Sequence, residues 1–212
     1  MMVSVLEMAQ HWYGYGRWEA PYWFVGIEPG GDELNEFARL WRHLGSGELL
    51  DIVAHHKELR WNWFDEGART QPTWMKLIWL LLTYKGQEPT RDATLEYQKR
   101  HLGRIDGETA LTEISCIPAR HNGVPVPLRE QYRAERIAKI SKLISEHAPK
   151  FVVFYSSGSR YRSTWDKIAG CQLTPHKPIM VERTACVITS HPTRERSKAY
   201  WSNMGLELRA MR

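Results

Sequence analysis

Residues 22–34 read YWFVGIEPGGDEL, and this stretch decides the fold. Its aromatic and β-branched start, residues 22–25, predicts a buried strand. The glycines and the proline that follow favour a tight turn, and Asp32 and Glu33 then begin a helical pattern. In open α/β sheets, ligands bind at such a junction. Glu28, inside the turn, is therefore the first candidate for a functional carboxylate.

Strand and helix patterns alternate along the rest of the chain. Three more strands are predicted, at residues 111–117, 151–155 and 186–189. Helices are predicted from Asp32 or Glu33, at 74–82, 90–101, 129–147 and 161–169, and from Lys198 onward. We therefore expect an α/β fold, namely a single-domain three-layer α/β/α sandwich around a central four-stranded, mainly parallel sheet. The domain would span residues 1–212, with 51–103 as a helical insertion between the first and second core strands.

The composition narrows the classes of partner. The 212 residues carry a formal net charge of +5, which favours an anionic partner such as nucleic acid. Ten tryptophans are present, and residues 12–23 interleave aromatic with polar and basic side chains. Such a stretch suits the stacking of bases, and it suits the packing of a core equally well.

Cysteine usage and hydropathy favour a cytoplasmic protein. The three cysteines are widely spaced and include no CxxC pair, so a zinc ribbon or an iron–sulfur cluster is not expected. The N-terminus has no signal-peptide pattern. The longest apolar stretch, residues 77–82, is far shorter than the ~20 residues that span a bilayer. We expect a reducing compartment and no membrane partner.

The predicted topology brings distant loops together. Parallel strands have their carboxyl ends at one edge of a sheet, so the loops that follow them should meet there. These loops contain Glu28, residues 118–120, the turn at Gly158, and His191. We therefore expect Glu28 and His191 to face one pocket.

Three short motifs at these positions have a familiar order. They are GIEPGG at 26–31, ISCIPAR at 114–120 and SHPT at 190–193. Together they resemble the uracil-DNA glycosylase superfamily, whose first motif is a G-x-x-P-G type turn and whose last is H-P-S or N-P-S. The resemblance spans about residues 22–205. It implies a monomeric DNA glycosylase that flips uracil or another deaminated base from single- or double-stranded DNA. Hydrolysis of the N-glycosidic bond would leave an abasic site, without metal or cofactor.

The resemblance also implies roles for individual residues. Glu28 would position water near the sugar, and His191 would stabilise the departing base. Glu113 is the best match to an Asn that reads the uracil edge in several branches. An ionised carboxylate accepts from N3–H but cannot donate to O4, so a different or broader set of bases is expected.

The remaining candidates form two groups. The base pocket would include residues of the first turn, Glu113 and an aromatic ring, with Phe64 preferred over its neighbours Trp61 and Trp63: Gly26, Ile27, Pro29, Gly30, Phe64 and Glu113. DNA phosphates would meet basic residues and helix N-termini in the later loops: Arg120, Gly158, Ser159, Arg160, Arg194, Arg196 and Lys198.

Other interpretations remain open. Glu28 also suits a carboxylate that only satisfies backbone N–H groups at a helix start, and His191 also suits a simple strand terminus. The chain would then be a non-catalytic DNA-binding module. A hydrolase of small nucleosides or nucleotides is a further alternative. His43, His55 and His56 lack the spacing of metal ligands, so no metal site is predicted.

Overall fold

The computed structural model describes residues 2–31, 34–118 and 126–211 of the chain. Its strands are β1 (Gly14–Tyr15), β2 (Tyr22–Gly26), β3 (Leu49–Leu50), β4 (Thr109–Glu113), β5 (Phe151–Tyr155), β6 (Ile179–Val181) and β7 (Thr184–Thr189). Its α-helices are α1 (Met2–His11), α2 (Leu34–His43), α3 (Ile52–Glu58), α4 (Pro72–Tyr84), α5 (Arg91–Arg100), α6 (Val126–Gln131), α7 (Arg133–His147), α8 (Ser159–Ala169) and α9 (Lys198–Ala210). A 3-10 helix spans Asn62–Phe64.

The described strands form one mixed sheet of seven, in the order β3-β1-β4-β2-β5-β7-β6. The four predicted strands are its contiguous parallel centre, since β2 pairs in parallel with β4 and β5, and β5 with β7. β1 and β6 run antiparallel to their central neighbours. The α/β class is therefore confirmed, but the predicted count of four strands is wrong. The added strands have two or three residues each, too few to produce a detectable alternation.

The second central strand lies earlier than predicted. It spans Thr109–Glu113, not 111–117, and its register pairs Gly26 with Glu113. The apolar pattern predicts a strand that extends too far, because Ile114 and Ile117 are buried although the strand has already ended. Glu113 is thus the last residue of β4, at the carboxyl edge of the sheet.

The helix predictions differ from the structure mainly at their ends. The predicted helix at 129–147 is two helices, α6 and α7, which are separated at Tyr132 (φ −105°, ψ 3°). Gln71 caps α4 and Thr90 caps α5 through side-chain oxygens. The predicted start of the first helix at Asp32 or Glu33 lies outside the described residues.

Apolar side chains cover both faces of the sheet. Alternate residues of β2 pack on opposite sides, Phe24 on one and Trp23 and Val25 on the other. Helices α3, α4, α5 and α9 pack on the Phe24 side, so the helices of residues 51–103 share a core with the sheet. Gly205 of α9 lies against α4, where a Cβ would come within 2.3 Å of the Leu80 carbonyl oxygen.

The aromatic stretch at residues 12–23 mostly contributes to packing. Trp12, Tyr13, Tyr22 and Trp23 are buried in the core clusters, so the packing interpretation is correct for these four. Within the described ranges, none of the helices has the length and apolar character needed to cross a membrane.

Candidate functional site

A cavity of about 950 Å³ lies at the carboxyl edge of the central strands. Both Glu28, from the turn after β2, and His191, from the loop after β7, line it. The expected meeting of these two distant loops is therefore present. Ile27, Pro29 and Gly30 also line the cavity, as does Glu113 at the end of β4.

Arg129 holds the Glu28 side chain from the side of α6. Its guanidinium Nη1 lies 3.7 Å from Glu28 Oε2, and its Nη2 donates to the carbonyl of Pro118 at 3.1 Å. The Glu28 side chain remains one quarter exposed, at 25%. The carboxylate is thus oriented by an ion pair and still accessible to water. The sequence predicts only that a helix starts at Arg129.

Glu113 is enclosed and carries a free oxygen. Tyr155 Oη, at the end of β5, donates to Glu113 Oε1 at 2.5 Å. Glu113 Oε2 is buried without a hydrogen-bond partner among the described residues. Burial raises the pKa of Glu113 to about 8; the Tyr155 hydrogen bond opposes this and the nearby charge of Glu28 adds to it. At neutral pH, Glu113 is a protonated acid, which the sequence did not reveal.

Gly26 allows this pair to form. It is the last residue of β2, between the strand ends that carry Glu113 and Tyr155. A Cβ at Gly26 would come within 2.1 Å of Tyr155 Oη and 2.2 Å of Glu113 Oε2. Gly26 does not line the cavity itself. Gly26, predicted from the sequence as a pocket residue, thus affects the cavity only by making room for Glu113 and Tyr155, which line it.

His191 is fixed in one tautomer by its own loop. The backbone N–H of Thr193 donates to His191 Nδ1 at 3.2 Å, and the Thr193 hydroxyl lies 2.7 Å from the same atom. Since Nδ1 accepts, the proton of the neutral ring is on Nε2. Burial, followed by the charge of Arg194, lowers the pKa of His191 below its usual value. His191, which lines the cavity, is thus a neutral imidazole with its proton on Nε2.

Arg136, on α7, binds backbone carbonyls close to the site. Its guanidinium is buried and donates to the carbonyls of Ala9, Trp12 and Glu113 at 2.7–3.1 Å. The ring of Tyr13 lies 4.1 Å from its guanidinium carbon. The arginine therefore joins the end of α1 to the end of β4. Nothing in the sequence predicts this role, because a helical arginine usually faces solvent.

The aromatic wall of the cavity differs from the prediction. Trp61, Trp63 and Trp74 line it, and Phe64 does not. Phe64 instead packs against Trp74, with ring centroids 5.5 Å apart, and against the buried core. Of the three rings considered from the sequence, Trp61 and Trp63 therefore face the cavity. The spacing of aromatic residues in the sequence does not predict which ring packs against the core and which faces the cavity.

None of the described residues that were candidates for phosphate binding lines the cavity. Arg194, Arg196 and Lys198 are exposed on the segment that follows His191. Gly158 caps α8, and it is exposed together with Ser159 and Arg160. Arg120 lies outside the described residues. In the part of the chain that the structure describes, no cluster of three His, Cys, Asp or Glu side chains is arranged to hold a metal ion.

Comparison with models of known protein families found no match, and a search of curated proteins found no similar sequence. The function is therefore inferred from the geometry of the cavity. That geometry combines an oriented carboxylate, a neutral imidazole donor and a buried carboxylic acid in one concave site.

Proposed function

We propose that this protein is a DNA glycosylase that flips uracil or another altered base out of DNA and hydrolyses its N-glycosidic bond. One observation carries the proposal: Glu28 and His191, which come from loops more than 160 residues apart, line the same cavity. Glu113 and the exposed basic residues after His191 complete the groups that such a reaction requires.

Glycosidic hydrolysis generates positive charge on the sugar and negative charge on the leaving base. Glu28 meets the first need, because an accessible carboxylate orients water and stabilises an oxocarbenium-like sugar. His191 meets the second, because a neutral Nε2–H donates to a carbonyl oxygen of the base as charge develops there. The two groups act on opposite sides of the bond that breaks.

Glu113 is suited to reading the edge of the base. Its protonated form donates from Oε2 to a carbonyl oxygen or a ring nitrogen, which an ionised carboxylate cannot do. Tyr155 keeps Oε1 engaged, so Oε2 is the atom available to the base. A buried acid without a partner costs stability, and a hydrogen bond to a bound base would offset that cost.

The net charge of +5 and the exposed residues Arg194, Arg196 and Lys198 favour DNA over a free nucleoside as substrate. Replacing all three by Gln should weaken action on oligonucleotides and make it less dependent on salt. A nucleoside hydrolase would be insensitive to this change. Equal activity of the triple variant and the wild type on DNA would favour that alternative.

The direct test is release of a base from oligonucleotides that contain uracil or hypoxanthine, single- and double-stranded. Wild type should produce alkali-labile abasic sites. Glu28→Gln should slow this by about tenfold or more. Glu146→Gln, an exposed glutamate on α7, is the matched control and should act as wild type does. If DNA is bound but no altered base is released, the chain is a binding module and the proposal is wrong.

A further inference from the structure

Three of the four tryptophans that line the cavity differ from most others in the chain. Six of the ten donate their indole N–H to a protein oxygen: Trp12, Trp18, Trp23, Trp41, Trp165 and Trp201. Among the described residues, Trp61, Trp63 and Trp74 have no such acceptor, and all three line the cavity. All three side chains are partly exposed, and none of their indole nitrogens is among the buried atoms without a partner, so these N–H groups are open to solvent. These three donors are therefore available to a ligand.

Other polar groups of the same wall are equally available. The Asn62 amide and the Thr73 hydroxyl make no side-chain hydrogen bond to other described residues, and both residues line the cavity. We call these five residues the outer wall: Trp61, Asn62, Trp63, Thr73 and Trp74. It comes from residues 61–74, whereas Glu28, Glu113 and His191 come from the ends of the central strands. These two groups of lining residues thus differ in chain origin and in chemistry.

The size of the cavity exceeds what one small base requires. Its volume of about 950 Å³ lies near the top of the ~300–1,000 Å³ range of pockets that hold drug-sized ligands. A uracil ring is several times smaller than such a ligand. Glu28, Glu113 and His191 would engage the glycosidic bond and the edge of the base. The outer wall, with apolar faces and free donors, would then remain without a partner.

We propose that the outer wall binds a bulky, oxygen-rich substituent on the flipped base, so that the preferred substrate is an enlarged modified base. This inference rests on the proposed glycosylase function and specifies its substrate class. Hydroxyl or carbonyl oxygens of the substituent would accept from the indole N–H groups, and the rings would cover its apolar faces. Uracil would leave these contacts unmade and would be the poorer substrate.

The test keeps the base edge constant and changes only the size. Oligonucleotides would carry uracil, 5-hydroxymethyluracil, or 5-hydroxymethyluracil with a glucosyl group on its hydroxyl. We expect kcat/KM for the glucosylated base to exceed that for uracil by about tenfold or more. Trp63→Ala should remove this advantage, so that kcat/KM for the glucosylated base falls to about that for uracil. Trp79→Ala, a partly buried tryptophan on α4 outside the cavity, is the matched control.

A second variant fills the space instead of removing a contact. Thr73→Trp should block the glucosylated base and preserve action on uracil, which also shows that the variant is folded. If uracil is released as fast as the glucosylated base, or faster, the size inference is wrong while the glycosylase proposal stands. If Trp63→Ala slows all three substrates equally, the wall binds the DNA backbone and the inference is also wrong. If no base is released, both fail.

Discussion

Tyr155 Oη donates to Glu113 Oε1 at 2.5 Å across the end of β2, in the space that Gly26 leaves open. The two residues end the strands on either side of β2, so the sheet itself sets their separation. Because Tyr155 occupies Oε1, the other carboxyl oxygen, Oε2, is buried without a hydrogen-bond partner among the described residues. The fold thereby determines which atom of Glu113 can bind a ligand.

Gly26→Ala should damage the site through this pair. The added methyl would overlap Tyr155 Oη and Glu113 Oε2, and both are held by a buried environment. Overpacking of this kind costs about 1–3 kcal/mol, or roughly 2–12 °C in Tm for a chain of this size. Base release should fall with it. Gly67→Ala, where a Cβ meets nothing within 4 Å, is the control and should leave Tm and activity unchanged.

The activity should decline at alkaline pH because of Glu113. Its pKa is raised to about 8, so the acid loses its proton, and with it the donor at Oε2, as the pH rises above that value. The rate of base release should then fall by about tenfold per pH unit. Glu113→Gln keeps a donor that does not titrate, so its profile should be flat there. The same alkaline decline in Glu113→Gln would show that another group is responsible.

The central strands and their loops could be predicted from the sequence because their signals are local. The run 22–26 is apolar and ends in turn residues, and β5 is apolar throughout. Parallel strands then bring Glu28 and His191 to one edge without further information. The short strands could not be predicted because they are too short to show an alternation of apolar and polar residues. The orientation of Phe64 could not be predicted because it depends on packing against Trp74 and His56.

The protonation of the site could not be predicted because it depends on distant residues. The raised pKa of Glu113 requires burial beneath Tyr155 and the charge of Glu28, which lie 42 and 85 positions away in the chain. The tautomer of His191 depends on the backbone N–H of Thr193, which a sequence does not orient. Motif order predicts which residues meet, and their protonation states follow only from the packed structure.

The protein should lose stability in mild acid because of two buried histidines. Burial lowers the pKa of His55 to about 3 and that of His56 to about 4, well below the unfolded value of 6.5. The unfolded chain therefore binds more protons below pH 6.5, and the free energy of unfolding falls as the pH drops. Each histidine should remove about 2 kcal/mol between pH 7 and pH 5.

Urea unfolding at both pH values measures this loss. His55→Gln should show about half of the wild-type pH dependence. His43→Gln, an exposed histidine of α2, should keep all of it. A free energy of unfolding that is equal at pH 5 and pH 7 in the wild type would contradict this account.

Arg136→Met should be among the most destabilising single changes on α7. The buried guanidinium donates to three carbonyls, and methionine would leave those oxygens without their donor in the interior. We expect a loss of about 3 kcal/mol or more in the free energy of unfolding. Lys142→Met, at a side chain 74% exposed on the same helix, should change it by less than about 0.5 kcal/mol. Similar unfolding midpoints for the two variants would mean that the hydrogen bonds of Arg136 do not stabilise the end of β4.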